Sequence, residues 1–412
     1  MRRTIESFAT KHEAEMIAFL DQLVSMQSGT ANKAGVDAVM EYLEGWLREK
    51  GFATHIEPQS ESGNILMAET PGSAHADKRV ILSGHLDTVF PADTPFRHMT
   101  RNGDIAKGPG VIDMKGGVVV SIYALLAVLE AGRTDIPVRF LFSPDEEVSS
   151  RVMRHRLIRE REGVAFALVF ECAGNKGEVV RTRKGKVAFD VVFTGKAGHA
   201  AFVGAAKPSA ILDMARKIPL LEALNSENPA AGNTVSVNAG KVWGGIGRNT
   251  VAEKAHLEME IRSGVNETLE KTEKAALDIL LASMTPEVTV EIVNRVTAPS
   301  VEAECTEVLY GLAADIAREL GQEMGEDFRP GLSEAGWFAQ AGIPVLDGLG
   351  PRGGKDHSTD EFIELHTLKE RMILTALLLP KAWDTWKAGG MPCVISKGST
   401  VYYEMTPHGM MP

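Results

Sequence analysis

Short apolar runs of strand length alternate with helical patterns through the first 170 residues, and this alternation constrains the fold most. The strand-like runs are 53–58, 64–68, 79–83, 138–143 and 165–170. Apolar residues at helical spacing cover 4–25, 34–50, 116–131 and a shorter stretch near 150–162. Apolar strands that alternate with helices predict a mostly parallel sheet with helices on both faces.

The pattern changes after about residue 180. Residues 186–194 and 253–262 alternate apolar and polar side chains, which is typical of antiparallel strands with one wet face. Helical patterns cover 207–224 and 266–283, and further strand patterns cover 234–243 and 287–295. The resulting order, β-α-β-β-α-β, resembles a ferredoxin-like unit. Helix and strand patterns of the first kind return between 302 and 387. We therefore predict one α/β domain, formed by 1–184 and 296–412, that is interrupted by an inserted α+β domain at 185–295.

Charge and cysteine content narrow the class of protein. The 44 Lys and Arg against 55 Asp and Glu give a net charge of −11, which argues against a general nucleic-acid or membrane-surface binder. We find no run near the roughly 18 apolar residues of a spanning helix, and no apolar stretch typical of a secretion signal. Three dispersed cysteines form no disulfide framework, so we expect a reducing, cytoplasmic location. The tail 389–412 lacks periodicity and is expected to be irregular.

Histidines and carboxylates directly follow several of these strands. They occur in SGHLD (His85, Asp87), SPDEE (Asp145, Glu146, Glu147), after FALVF (Glu171) and in DHSTDE (Asp356, His357, Asp360, Glu361). Asp113 lies in the glycine-rich turn GPGVIDMKGG, just before a buried helix. Taken singly, these residues are as well explained by surface histidines, helix caps or solvated acidic turns. Together they meet at the carboxyl edge of a parallel sheet, where α/β proteins bind ligands.

Several carboxylates gathered at one edge repel one another unless cations balance them. Nitrogen and oxygen donors without a thiolate suit Zn²⁺, and also Mn²⁺ or Co²⁺. The number of donors suits two metals about 3.5–4 Å apart that share a carboxylate, with one carboxylate left as a general base. A nucleotide site is disfavoured, because GxxxxGK[ST] is absent and no GxGxxG follows a strand.

The set of motifs resembles a known family. SGHLDTV, GPGVIDMKGG, PDEE, a strand-terminal Glu and DHSTDE stand in the order and spacing of the co-catalytic zinc exopeptidases and amidohydrolases. That family includes glutamate carboxypeptidase, aminoacylase, acetylornithine deacetylase and succinyl-diaminopimelate desuccinylase. The resemblance runs from about residue 10 to 388. It implies a zinc exopeptidase-like α/β fold whose inserted domain serves as a lid and pairs two subunits.

The resemblance also implies a role for each residue of the centre. His85 and Glu171 would bind one zinc ion, Glu147 and His357 the other, and Asp113 would bridge the two. Glu146 would be the general base for the attacking water and would pass its proton to the leaving amine. Asp87 would hold His85 in its metal-binding tautomer. A cis peptide is expected after Asp113.

In the inserted domain, KAGHA places His199 where the family's oxyanion-stabilising histidine reaches the partner's active site. Asn249 and Arg262 match positions that bind a substrate carboxylate, and Arg295 falls where glutamate carboxypeptidases place a carboxylate-binding arginine. The residues alone favour a turn histidine for His199 and a surface strand residue for Arg295. A guanidinium fork is nevertheless a natural partner for an α-carboxylate.

The resemblance implies metal-dependent hydrolysis of an amide bond next to a free carboxylate. We expect two Zn²⁺ per chain, with Co²⁺ or Mn²⁺ as alternatives, and a homodimer that acts on a peptide or an N-acyl amino acid. A carboxypeptidase that releases C-terminal glutamate is the first choice, and an N-acyl-amino-acid deacylase or a dipeptidase is the alternative. A non-catalytic metal-dependent binding protein is the remaining hypothesis. Such a protein would be expected to lack one of the metal ligands or the general base, and the sequence contains all of them.

Overall fold

The computed structural model of the protein describes residues 1–73, 76–202, 207–226 and 234–391. In these ranges the helices are α1 (Arg2–Ser25), α2 (Lys33–Glu49), α3 (Gly116–Glu130), α4 (Met153–Glu160), α5 (Ala210–Glu222), α6 (Asn266–Leu281), α7 (Ala303–Glu319), α8 (Ala335–Gln340) and α9 (His366–Lys387). The strands up to the middle of the chain are β1 (Ala53–Glu57), β2 (Ile65–Glu69), β3 (Arg79–His85), β4 (Thr100–Asn102), β5 (Ile105–Lys107), β6 (Val138–Ser143), β7 (Val164–Val169) and β8 (Val179–Arg183). The later strands are β9 (Gly185–Thr194), β10 (Val235–Gly244), β11 (Lys254–Ser263), β12 (Thr289–Ala298), β13 (Glu326–Arg329), β14 (Val345–Leu346), β15 (Gly353–Gly354) and β16 (Phe362–Glu364).

The described chain divides into two compact units. The first contains the described residues of 1–182, 302–329 and 333–391. The second contains those of 183–301 together with 330–332, and so includes the described residues of the segment 185–295. Most of the predicted irregular tail, from residue 392 onward, lies outside the described residues.

The first unit is built on a six-stranded sheet in the order β1-β2-β6-β3-β7-β14. Strand β3 pairs in parallel with β6 and β7, and β14 pairs in parallel with β7. The central strands β3 and β7 are buried along nearly their whole length, since both faces of the sheet are covered. The predicted mostly parallel α/β sheet is confirmed, and the carboxyl ends of β3, β6 and β7 lie side by side.

The edge of this sheet differs from the parallel pattern. Strands β1 and β2 form an antiparallel hairpin, and β2 pairs antiparallel with β6.

The first unit also contains a four-stranded sheet in the order β15-β16-β5-β4, which the sequence patterns did not predict. Its strands have only two or three residues each, too few for a period of two to be read. It connects strands that precede Asp113 with strands on both sides of His357.

Helix α3 forms the apolar centre of the first unit. The expectation that no run is apolar enough to span a membrane is wrong by composition, because Val111–Glu130 has mean hydropathy 1.8 over an 18-residue window. In the structure 89% of that window is buried in the protein. Helix α3 packs with α1 and α9 in one continuous core. This burial identifies it as a core helix and explains why its sequence shows no polar face.

The second unit is an antiparallel sheet in the order β10-β11-β9-β12, with α5 and α6 on one face. Alternate residues of β9 are buried, including Phe189 and Phe193, and the residues between them are partly exposed. This is the predicted period of two and the predicted β-α-β-β-α-β order.

Helix α5 carries a buried ion pair, in which Nζ of Lys217 lies 2.6 Å from Oδ2 of Asp213.

Candidate metal centre

His85 ends strand β3 and is fully buried. Its Nε2 lies 3.0 Å from Oδ1 of Asp113 and 3.9 Å from Oε1 of Glu171. Its Nδ1 lies 3.0 Å from the carbonyl oxygen of Asp87 and 3.3 Å from Oδ1 of that residue. With a proton held at Nδ1 by Asp87, loss of the other ring proton would leave the lone pair of Nε2 free for a metal.

Asp87 connects His85 to the acidic turn that follows β6. It is fully buried, and its carboxylate accepts the backbone N–H groups of Glu146 at 3.2 Å and Glu147 at 3.3 Å. The hydroxyl of Thr30 donates to it at 2.8 Å. Asp87 therefore sets the ring of His85, through its main-chain carbonyl and its carboxylate, and the same carboxylate fixes the backbone that carries the two glutamates.

Asp113 lies in a turn, Val111–Lys115, that leads directly into α3. The Asp113–Met114 peptide bond is cis, as expected. The turn is held by Glu361, whose carboxylate accepts the backbone N–H groups of Gly110, Ile112 and Asp113 at 2.9–3.1 Å. On the other side, the buried ammonium of Lys115 donates to two carbonyl oxygens near the end of α1.

The remaining donors approach Asp113 from two sides. Nε2 of His357 lies 3.2 Å from Oδ2 of Asp113 and 3.2 Å from Oε2 of Glu147. Glu171 follows β7, and its oxygen lies within 4.8 Å of the donor atoms of His85 and Asp113. Asp113 thus has an imidazole on each carboxylate oxygen, which is the arrangement that a bridging ligand needs.

The loop before His357 supports Glu171. The N–H of Gly350 donates to the carbonyl oxygen of Glu171 at 2.9 Å. The guanidinium of Arg371, on α9, is buried and donates to the carbonyl oxygens of Gly348 and Gly350. A buried guanidinium needs acceptors, and here the backbone of the loop supplies them.

The electrostatics follow from burial and close pairing. Burial acts to lower the pKa of His85, but hydrogen bonds to Asp113 and Asp87 outweigh it and raise the pKa well above 6.5. Hydrogen bonds to Asp113 and Glu147 raise the pKa of His357 to about 11. Burial acts to raise the pKa of Asp113, and the hydrogen bonds from both histidines overcome it and hold that pKa well below 3.8. By themselves, the side chains balance this negative charge with protons on the two imidazoles, and divalent cations would replace those protons.

Glu146 is in the same 3₁₀ turn as Glu147 but forms no hydrogen bond to either histidine in the described structure. Burial, and then the negative charge of Glu171, raises the pKa of Glu146 well above 4.5. A carboxylate whose pKa is raised by its neighbours is suited to accept and return a proton.

The donor set fits a pair of divalent metals. Two imidazole nitrogens and three carboxylates converge, the three carboxylates are largely buried, and no thiolate takes part. This chemistry matches Zn²⁺ and related ions. The structure therefore brings together the five residues predicted as ligands, with Asp87 and Glu146 beside them.

The other predicted site residues belong to the second unit. His199 pairs with Thr250 in an antiparallel bridge, and the N–H of Ala200 donates to the carbonyl oxygen of Asn249, so His199 and Asn249 are neighbours. Arg262 pairs with Glu260 at 3.0 Å. Their roles toward substrate stay predictions.

Arg295 is already engaged within the second unit. Its guanidinium binds both carboxylate oxygens of Glu273, on α6, at 2.6 and 3.0 Å. A substrate carboxylate would have to compete with this bidentate pair. The carboxylate-binding role of Arg295 stays a prediction, and the pair with Glu273 weakens its support.

The sequence does not reveal the role of two further carboxylates near the centre. Glu361 belongs to the motif DHSTDE, but only the structure shows that it holds the Asp113 turn. Glu334 is buried and accepts a hydrogen bond from the hydroxyl of Ser83, two residues before His85. Glu361 stands within the motif DHSTDE, whereas no local pattern connects Glu334 with Ser83, because the two residues are 251 positions apart.

Comparisons with known proteins agree with this geometry. A family model described as peptidase family M20/M25/M40 matches residues 81–380. Carboxypeptidase G2 of Pseudomonas sp. strain RS-16 is 27% identical over 386 residues, which cover 90% of each chain.

Solved structures share the fold. The crystal structure of aminopeptidase PepT from Bacillus cereus matches with a TM-score of 0.73 and 20% identity, covering 90% of this chain and 99% of that one. A dinuclear metal binding peptidase of the M20 family from Bacillus subtilis matches with a TM-score of 0.63 and 17% identity, covering 91% and 99%.

Proposed function

The chain belongs to peptidase family M20/M25/M40, and from this premise we propose that it is a dinuclear metallocarboxypeptidase that releases a C-terminal glutamate. The observation that carries the metal chemistry is Asp113, with an imidazole against each of its carboxylate oxygens. The choice of a carboxypeptidase is supported by the similarity to carboxypeptidase G2 along 90% of both chains.

Five side chains would hold the two metals. His85 and Glu171 would hold one, Glu147 and His357 the other, and Asp113 would bind both. The metals, when bound, polarise the scissile carbonyl and lower the pKa of the attacking water toward about 7. Zn²⁺ is the proposed ion, with Co²⁺ or Mn²⁺ as alternatives.

Glu146 would carry the proton transfers. Its backbone is fixed by Asp87, and its carboxylate lies among the charges of Glu171, Asp113 and Glu147. It would take the proton from the attacking water and give it to the nitrogen of the leaving amine. These two transfers turn a poor leaving group into a neutral amine.

Recognition of the substrate's free carboxylate would fall to the second unit. Asn249, Arg262 and Arg295 are the candidates, and a substrate carboxylate would have to compete with Glu260 for Arg262 and with Glu273 for Arg295. His199 would stabilise the oxyanion in the partner subunit of a homodimer. The dimer, the role of His199 and a cytoplasmic location all rest on the sequence and its resemblance to the family.

An N-acyl-amino-acid deacylase or a dipeptidase is the second candidate. The metal centre would serve all three activities, since each hydrolyses an amide bond next to a carboxylate. The three activities would differ in the protein groups that bind the substrate's side chain and its amino end.

The deciding experiment is hydrolysis of a panel of substrates with Zn²⁺, and then with a chelator. The panel contains N-acyl-glutamate, peptidyl-glutamate, N-acetyl-ornithine, N-acetyl-methionine and dipeptides. We expect chelator-sensitive release of C-terminal glutamate to be fastest. A preference for another member would keep the hydrolase and replace the substrate. Turnover of no member would count against hydrolysis of this bond class.

A further inference from the structure

Asp356 reaches the same centre as its neighbour His357. One carboxylate oxygen of Asp356, one of Asp113 and one ring nitrogen of His357 all lie within 4.8 Å of one another. The ligand set proposed above uses His357 alone from this loop. Asp356 is exposed, so it stands at the open side of the centre.

The backbone on both sides of Asp356 is in the left-handed region. Lys355 has φ 58° and His357 has φ 60°. This conformation is uncommon for residues other than glycine and occurs preferentially at functional sites. It is compatible with two successive side chains reaching one centre, which Asp356 and His357 both do.

The charge environment of Asp356 contrasts with that of the next aspartate. Asp360 lies 2.7 Å from the ammonium of Lys107 and 3.9 Å from that of Lys355. Within the described residues, no lysine or arginine pairs with Asp356. Its carboxylate instead lies close to that of Asp113 and to the ring of His357, and a cation between two carboxylates at such a distance offsets their repulsion.

We propose that Asp356 is an additional oxygen ligand of the metal that His357 holds. The proposal rests on the dinuclear centre of the proposed function and adds a residue to it. With Asp356, the donors at this position are the carboxylates of Asp113, Glu147 and Asp356 and one imidazole. At the other position the donors are two carboxylates, Asp113 and Glu171, and the imidazole of His85. Oxygen-rich sites favour harder ions, so the position at His357 should accept Mn²⁺ more readily than the position at His85.

The test is a metal titration of the full chain. Metal-depleted protein is titrated with Zn²⁺, and separately with Mn²⁺, in competition with a chromogenic chelator. The variants are Asp356→Asn, Asp356→Glu and, as a matched control, Asp360→Asn. We expect Asp356→Asn to lower the affinity for one of the two bound metal ions by about tenfold or more. Loss of a residue that only hydrogen-bonds to a metal ligand already costs about 10–100-fold in affinity. Asp356→Glu should recover most of that loss, and Asp360→Asn should bind both equivalents like the original chain.

Unchanged binding of both equivalents by Asp356→Asn would overturn the proposal, as would equal weakening by Asp360→Asn. An original chain that binds a single equivalent would overturn both Asp356 as a ligand and the dinuclear centre. An original chain that binds two equivalents but hydrolyses nothing in the substrate panel would contradict the proposed function alone. Because Asp356 is exposed, we expect the thermal midpoint of metal-depleted Asp356→Asn to equal that of the original chain.

Discussion

At the scale of single residues, the centre is organised by groups that do not themselves bind metal. Asp87 orients His85 and the Glu146–Glu147 backbone together, and Glu361 closes the turn that presents Asp113. Each of these carboxylates is satisfied by N–H groups of the residues it positions. Loss of Asp87 would move His85 and Glu147 together, and loss of Glu361 would release the turn that presents Asp113.

Glu146 gives the most direct test of the chemistry. We expect Glu146→Ala to lower kcat by about 10²–10⁴-fold while both metals still bind, because the side chain is a proton carrier and not a ligand. Steady-state kinetics and metal analysis of the same preparation measure both quantities. Retention of more than about a tenth of the activity would exclude Glu146 as the general base.

Glu334 predicts a pH dependence of stability. Burial raises the pKa of Glu334 from 4.5 to about 7. Between these two pH values the folded chain holds a proton on Glu334 that the unfolded chain has lost. The carboxyl therefore contributes stability that is complete below about pH 4.5 and is lost as the pH rises through about 7. That contribution amounts to about 3 kcal/mol at most.

Glu334→Gln should remove this dependence, because an amide cannot ionise. The measurement is the urea midpoint of both proteins between pH 4.5 and 8. The difference between variant and original should shift in favour of the variant as the pH rises. A difference that is flat with pH would show that Glu334 does not titrate in this range.

At the scale of elements, the centre depends on how closely α3 approaches the end of β7. A Cβ atom added to Gly117, in the first turn of α3, would lie 1.9 Å from the carbonyl oxygen of Phe170. The next residue after Phe170 is Glu171. The helix and the strand end can therefore keep this spacing only with glycine at position 117.

We expect Gly117→Ala to displace the Glu171 backbone, to lower the thermal midpoint and to weaken metal binding. The matched control is Gly45→Ala in α2, where an added Cβ meets no atom within 4 Å. That change should stabilise the helix by up to about 1 kcal/mol. Thermal unfolding and metal titration of both variants measure the effects. Equal behaviour of the two variants would contradict the steric argument.

At the scale of the whole molecule, the proposed homodimer would make the active site a property of two subunits. We expect light scattering to give twice the mass of the chain. A dimer with His199 acting in the partner's site also predicts complementation between two inactive variants, Glu146→Ala and His199→Ala. In an equal mixture that exchanges subunits, half of the dimers are mixed, and each mixed dimer has one complete site.

The mixture should therefore recover about a quarter of the original activity, while each variant alone stays low. Exchange is followed with a tag on one variant, and re-mixed original protein is the control. A monomeric mass with full activity, or exchange without recovery, would contradict the action of His199 across the dimer.

The strand and helix periods in the sequence predicted most of the main elements to within a few residues, including β6 at 138–143. Periodicity depends on neighbours in the chain, so long elements with a buried face are legible from sequence alone. The same logic placed His85, Glu147 and Glu171 at one sheet edge, because parallel strands end together. Short strands such as β5 and β16, with three residues each, carry no period and became visible only when paired.

Local patterns along the chain predicted the sheet, the inserted β-α-β-β-α-β segment and the side chains that lie together at the centre. The groups that hold those side chains, and the side chains that already have partners, became known from the folded structure. Glu334 contacts Ser83 across 251 residues, and Arg295 is bound by Glu273 on a neighbouring helix. Such pairings depend on burial and on distances in space, which set the cost of an unpaired charge. Neither quantity is written in the local pattern of the chain.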